Sequence, residues 1–227
     1  MESNASDIDQ FVTMFQNSDR DIINHISIAS RIVQFKEIYK NLQTLINTTN
    51  VSESMIQKHL EENPWCFGSE YSELINRRTW ARDDNLDFML RRTADNYLEI
   101  IEIKTPLKEP LFIYDNSHKN YYSSSKLSQV IGQVVQYIEE IERQRDFIIS
   151  KDKCDTLKIR ARIIIGRDGD DEQKSALRNL NAHLHRIEII TFDQLLRIAN
   201  RVLEVFENET INNDKENTIE DAGDVPF

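Results

Sequence analysis

"NYLEIIEIKTP", residues 96–106, decides how the chain folds. Leu98, Ile100, Ile101 and Ile103 mark a buried strand, yet Glu102 and Lys104 sit two apart within it. Side chains two apart on a strand point the same way, so Leu98, Ile100, Glu102 and Lys104 share one face, with both charges at its C-terminal end. The preceding strand candidate, "LDFMLRRT" (86–93), carries Asp87. A two-residue turn at Ala94-Asp95 sets Asp87 opposite Glu102. A turn at Asp95-Asn96 sets it opposite Lys104 and diagonal to Glu102. Both registers keep Asp87 on the face of the other two charges, and a three-residue loop would reverse that parity.

Outward from this hairpin the pattern alternates. "ELINRRTW" (73–80) reads as a further strand, and Ser52 caps a helix from Glu53 to Asn63 that Pro64 stops. A long helix over about 125–145 buries Leu127, Val130, Ile131, Val134, Ile138 and Ile141. "KIRARIIIGR" (158–167) and "RIEIITF" read as strands on either side of the helix "DDEQKSALRNLNAHL", and "DQLLRIANRVLEVF" is a closing helix capped by Asp193. The stretch 108–125, "KEPLFIYDNSHKNYYSSS", reads as a polar, aromatic-spotted loop. The first three strands can meander, and helical crossovers make the last two parallel. The expected fold class is α/β, a mixed five-stranded sheet with flanking helices.

Three regions follow. Residues 1–49 read as helical, with Ile28, Ile32, Phe35, Tyr39, Leu42 and Ile46 at heptad spacing, a seam for an intramolecular partner or a second protomer. Residues 50–206 form the central domain. Residues 207–227 hold seven acidic side chains against Lys215, a net of −6, and read as a flexible tail. The whole chain carries −11, so −5 remains for residues 1–206, while Arg77 to Lys126 holds nine Lys/Arg against eight Asp/Glu. The excess negative charge thus lies away from the middle of the chain, which softens its argument against a nucleic-acid partner.

With 39% hydrophobic and 30% charged residues, the chain reads as globular, and no apolar run reaches membrane-spanning length. The N-terminal "MESNASDIDQF" lacks the basic and apolar regions of a secretory signal, and Cys66 and Cys154 read as free thiols, so the expected location is cytoplasmic. His183-x-His185 with the distant Cys154 lacks zinc-ligand spacing, and no Gly-rich Walker loop calls for a nucleotide cofactor.

Two converging carboxylates repel unless a cation joins them. Mg²⁺ binds through one or two carboxylates, a carbonyl and waters, leaving positions for a phosphate. An adjacent lysine can position the attacking water and offset charge on the transition state. Asp87, Glu102 and Lys104 therefore suit metal-assisted phosphodiester hydrolysis. On the Glu53–Asn63 helix, Glu53 shares a face with Ile56, Gln57 and Leu60, an expensive place for a carboxylate without a positive partner. A first-turn glutamate that favours the helix dipole from the solvent side is the alternative.

Asp87 followed fifteen residues on by Glu102-Ile103-Lys104 resembles the PD-(D/E)XK nuclease signature, with Leu86 where that family places a proline. Gln133-Val-Val-Gln136-Tyr137 on the long helix resembles its Q-x-x-x-Y element. Together with "ESMIQKHLEENPWCFG", "ARIIIGRDGDDEQKSALRNLN" and "IEIITFDQLL", these residues look like the nuclease domain of Shedu-type antiphage proteins, over roughly residues 52–205. The resemblance implies a restriction-endonuclease-like core, Mg²⁺-dependent DNA cleavage or nicking with Mn²⁺ as a substitute, antiphage defence, and a homo-oligomer, a tetramer. It implies Asp87, Glu102 and the Ile103 carbonyl as metal ligands, Lys104 as the catalytic lysine, and Glu53 as completing the acidic cluster. Gln133 would orient water or phosphate, with Gln129 and Gln136 as close alternatives, and Tyr137, one turn on, is a candidate for contact with the nucleic acid.

Apart from the resemblance, Lys119 and Lys126, with His118, Tyr121 and Tyr122, make a basic and aromatic mix suited to a phosphate backbone or an unstacked base. Arg77, Arg78, Arg82, Arg91 and Arg92 are further candidates for phosphates. The competing reading is a catalytically inactive nuclease-fold module that binds DNA or serves assembly.

Overall fold

The structure, a computed structural model, describes residues 20–75, 86–106 and 109–220. Their helices are α1 (Arg20–Asn47), α2 (Glu53–Glu62), α3 (Ser125–Arg143), α4 (Arg145–Asp152), α5 (Asp171–His183) and α6 (Phe192–Glu220). The strands are β1 (Tyr71–Leu74), β2 (Phe88–Arg92), β3 (Leu98–Ile103), β4 (Phe112–Asp115), β5 (Asn120–Ser123), β6 (Arg160–Ile164) and β7 (Ile187–Ile190). None of the described helices is long and apolar enough to cross a membrane.

The main sheet has five strands in the order β1-β2-β3-β6-β7. The first two pairings are antiparallel, and β3-β6 and β6-β7 are parallel, as the helical crossovers require. The α/β expectation with a mixed five-stranded sheet therefore holds. β3 is the central strand, and all six of its residues are buried. That explains its near-continuous apolar run, and it makes each charge in it costly unless paired.

Pairing of Phe88 with Ile101 and of Met89 with Ile100 continues one step to set Asp87 opposite Glu102. The chain reverses through Thr93–Asn96: the Arg92 N–H donates to Tyr97 O at 2.9 Å, and Asn96 takes the left-handed conformation. Four loop residues preserve the parity of a two-residue turn, so the first of the two expected registers is the one adopted.

One face of the sheet is covered by α3 and α5. Leu98 and Ile100 join Leu127, Val130, Val134, Ile141, Ile163 and Leu177 in one core. Each such side chain contributes about 1.5–3 kcal/mol by leaving water. On the opposite face Phe67, in the 3-10 turn Pro64–Phe67, meets Phe88 edge-on with centroids 5.2 Å apart. The edge strand β7 is closed by a side chain: Asn181 Nδ2 donates to Ile189 O at 2.8 Å, and the Ile189 N–H donates to Asn181 Oδ1 at 2.9 Å. Those two backbone groups are thereby withdrawn from edge-to-edge pairing.

Four expectations need correction. Residues 112–123 are an antiparallel hairpin, β4-β5, and not a loop; its turn is organised by Asp115, whose carboxylate accepts the Ser117 N–H at 2.8 Å. The cap of α6 is Thr191 rather than Asp193. Thr191 Oγ1 accepts the Gln194 N–H at 3.1 Å, and Gln194 Oε1 accepts the Thr191 N–H at 2.8 Å, a reciprocal box. The closing helix does not stop at Phe206 but runs to Glu220, and no Gly or Pro interrupts residues 207–220. The first strand is Tyr71–Leu74 and lies earlier than 73–80; residues 76–80 fall outside the described ones.

Compactness divides the chain inside α1 and inside α6. One unit is Tyr39–Val202, which holds the whole sheet. In the other, formed by Met1–Ile38 and Leu203–Phe227, Phe35 packs on Phe206 with centroids 5.3 Å apart and Lys36 pairs with Glu207 at 2.6 Å.

Candidate active site

The carboxyl end of β3 gathers the charges. Lys104 Nζ donates to Glu102 Oε1 at 2.6 Å. Asp87 Oδ2 accepts the Ile103 N–H at 2.8 Å. From α2, Glu53 Oε1 accepts the Thr105 N–H at 3.0 Å. Three carboxylates on separate segments are thus tied to successive residues of one strand end. Ser52 makes the placement of Glu53 possible: it caps α2, its side chain accepting the Met55 N–H, so the helix starts with Glu53 in its first turn.

The electrostatics follow from burial. Glu102 is 2% exposed. Burial first, and then the charge of Asp87, push its carboxyl up to about 7, against the opposing pull of Lys104. For Lys104, burial by itself pulls the ammonium down, but the hydrogen bond and charge of Glu102, with Glu53 and Asp87 behind it, outweigh that and leave its pKa raised. Among the described residues Lys104 is the cation that Glu102 holds.

Among the described residues no three His, Cys, Asp or Glu side chains are arranged to cage a metal ion by themselves. The donor set still fits Mg²⁺, which takes one or two carboxylates, a carbonyl and several waters rather than a protein cage. Asp87, Glu102 and the Ile103 carbonyl would be those donors, and the carboxyl of Glu102, raised chiefly by burial and then by the charge of Asp87, is one that a cation would relieve.

The other expected residues divide. Gln133 on α3 is half-buried and donates through Nε2 to the hydroxyl of Tyr137, itself buried. Gln129 and Gln136 are exposed, and Gln136 is engaged with Glu140 at 2.9 Å, so Gln133 is the glutamine set inward. Lys119 stands exposed as the last residue of the hairpin turn, in a left-handed conformation, and Lys126 is exposed in the first turn of α3. No hydrogen bond or ion pair among the described residues joins either to the four charged side chains. Arg77, Arg78 and Arg82 lie outside the described residues. Arg91 is paired with Glu73 at 2.9 Å and Arg92 with Asp95 at 3.3 Å, so neither is a spare cation for a phosphate.

Two features escaped the sequence. Gln57 donates through Nε2 to the Asp87 carbonyl at 3.2 Å, one helical turn after Glu53, and that spacing was the available signal. Glu99, in the same strand as Glu102 but on the reverse face, is buried beside Arg162 at 3.6 Å. Arg162 also reaches Glu70 at 2.6 Å and Glu188 at 2.7 Å. The strand thus carries charge on both faces: on the reverse face the carboxylates gather on the arginine Arg162, and on the other they gather at the strand end beside Lys104.

Among curated proteins none matches the chain. Residues 50–196, about two thirds of the sequence, match the family described as Shedu protein SduA, C-terminal. The match begins ahead of α2 and ends in the first turns of α6, enclosing Glu53, Asp87, Glu102 and Lys104. By that match the chain belongs to the Shedu protein SduA C-terminal family.

Proposed function

We propose that the chain is a Mg²⁺-dependent DNA endonuclease of antiphage defence, built on a restriction-endonuclease-like core. One observation carries this reading: Asp87, Glu102 and Lys104 converge at the carboxyl end of the central strand, with Glu53 anchored one residue further on. Family membership supports the defensive role. In this reading DNA is the partner, the chain works as a homo-oligomer, and the location is cytoplasmic.

Asp87, Glu102 and the Ile103 carbonyl would hold the ion, with Mn²⁺ as a substitute. When bound there, Mg²⁺ supplies Lewis-acid polarisation of the phosphate and a water of lowered pKa. Lys104, which the structure holds on Glu102 at 2.6 Å, would offer its ammonium to the attacking water and to charge developing on the phosphate. Asp87 contributes through both its charge and its bond to the Ile103 N–H, which holds the strand end in register. Glu53 fixes the following peptide through Thr105. Gln133, oriented by Tyr137, is available to a water or phosphate oxygen.

The test is nicking of supercoiled plasmid with Mg²⁺, with Mn²⁺ and with chelator. Wild type is expected to nick with either metal and not with chelator, and Asp87→Ala and Lys104→Ala are expected to lose nicking while remaining folded. Metal-independent nicking, or full activity in either variant, overturns the proposal; DNA binding without any cleavage by wild type supports the inactive-module reading instead.

A further inference from the structure

A concavity opens at the carboxyl ends of β6 and β7, beside the end of β3. The Lys104 N–H donates to Ile164 O at 2.9 Å and the Gly166 N–H to Thr105 O at 3.4 Å. Arg167 and Asp168, the next residues along, line a cleft of about 420 Å³. That volume lies within the roughly 300–1,000 Å³ range of small-molecule sites, and the ends of parallel strands are where α/β sheets bind ligands.

Its floor is apolar. Leu111, Phe112 and Leu177 line it, and all three belong to the core that contains Leu98 and Ile100, on the face shared with Glu102. Four cations line the same cleft, Arg167, Lys174, Arg178 and Arg197, against the carboxylates of Glu109, Asp168 and Asp170. Most of these are already engaged. Arg167 grips Asp193 at 2.7 Å, Arg197 holds Asp168 at 2.9 Å, and Asp170 caps α5 by accepting the Gln173 N–H at 2.8 Å. Lys174 has only an exposed contact with Asp171 at 3.3 Å, and Arg178 makes no ion pair among the described residues. Lys174 and Arg178 are four apart on α5, so their like charges repel across one turn, and an anion between them would relieve that repulsion. Gln194 adds a polar group: its Oε1 is taken by the Thr191 N–H, so the NH₂ end is its remaining donor.

We infer that this cleft binds a nucleotide unit, its base laid on Leu111, Phe112 and Leu177 and its phosphate held by Lys174 and Arg178. The apolar floor does not suit a bare anion, and the spare cations do not suit an uncharged apolar ligand. A nucleoside phosphate satisfies both, and Gln194 can donate to a ring acceptor. Such a unit has two sources, a nucleotide of the DNA strand or a free nucleotide. Only the first rests on the endonuclease reading.

The test titrates the full chain with 2′-deoxyadenosine 5′-monophosphate, with inorganic phosphate and with deoxyadenosine. The nucleotide is expected to bind more tightly than either part, and the double variant Lys174→Gln/Arg178→Gln is expected to weaken it at least tenfold with an unchanged melting temperature. Phosphate binding as tightly as the nucleotide, or a double variant that binds as wild type does, overturns the inference. Binding is also measured in Asp87→Asn, where it is expected to persist, so that a failed nuclease assay leaves the cleft decided on its own. Where wild type nicks plasmid, a roughly tenfold rise in KM for the double variant with kcat retained identifies the DNA strand as the source. An unchanged KM, with nucleotide binding still lost, identifies a free nucleotide.

Discussion

Asp87 Oδ2 accepts the backbone N–H of Ile103 at 2.8 Å, across the pair of strands that carry the candidate site. The bond does two things at once: it locks the lead-in of β2 to the end of β3, and it parks a negative charge beside Glu102. The two roles can be separated. Asp87→Asn keeps an oxygen acceptor for Ile103 but removes the charge. Its melting temperature is expected to stay near that of wild type, while plasmid nicking falls by about 10²-fold or more, the scale of losing one electrostatic contributor to a transition state. Nicking at the wild-type rate would remove Asp87 from the machinery and leave it a strand clamp.

Metal binding should register as stability before any cleavage is assayed. A ligand that binds only the folded state adds about 2.7 kcal/mol at a hundredfold excess over its dissociation constant. Mg²⁺ is therefore expected to raise the melting temperature of wild type, reversibly on chelation. Glu102→Gln removes a ligand charge and should abolish that rise. A variant stabilised by Mg²⁺ as strongly as wild type would show that the ion binds elsewhere.

The sequence made the site legible because strand parity is a local property. Once Asp87 and Glu102 lie on strands joined by an even-numbered turn, they must share a face, and Thr93–Asn96 obeys that rule with four residues instead of two. Glu53 was only half legible: a carboxylate on the apolar side of a short helix called for a positive partner, with a solvent-side first-turn glutamate as the alternative, and the structure gives it the neutral Thr105 N–H. The β4-β5 hairpin was hidden because its strands are four residues each and its turn is made by an aspartate's side chain rather than by Asn-Gly or Asp-Gly. The α6 cap was misread because Asp193 resembles a cap, while Thr191-x-x-Gln194 satisfies both end groups and frees Asp193 to meet Arg167. The cleft at Lys174 and Arg178 depends on which helix faces which strand end, and no local pattern encodes that.

One side chain ties the hairpin to α5 by a pair of hydrogen bonds, beside the packing of Phe112 and Leu177 in the shared core. Gln173 Nε2 donates to Phe112 O at 2.8 Å and the Phe112 N–H donates to Gln173 Oε1 at 3.1 Å, so the amide acts as one more strand for β4. Phe112 is 4% exposed, and removing the amide strands both of its backbone groups away from water. Gln173→Leu is therefore expected to cost about 1–3 kcal/mol in urea denaturation and to speed amide exchange in residues 112–123 before the main sheet. Exchange in the hairpin at the wild-type rate would mean that Gln173 is not what holds it.

Asp193 gives the chain an acid-sensitive joint. Burial by itself raises this carboxyl, but hydrogen bonds from the Arg167 guanidinium, at 2.7 Å, and from the Asp168 N–H outweigh it and leave the pKa lowered. A carboxyl depressed in the folded state stabilises above its unfolded pKa, and that contribution is lost as pH falls through the folded value. The side chains are 22% and 32% exposed, so the pair is only partly screened. Asp193→Asn should therefore lose about 1.5–3 kcal/mol at neutral pH, the range for a hydrogen bond to a charged group. The gap between wild type and variant should hold down to about pH 4, near the unfolded aspartate pKa, and close below it. Urea denaturation of both proteins across that range measures the gap directly. A gap that stays constant into acid would mean that Asp193 contributes through packing at the start of α6 and not through its charge on Arg167.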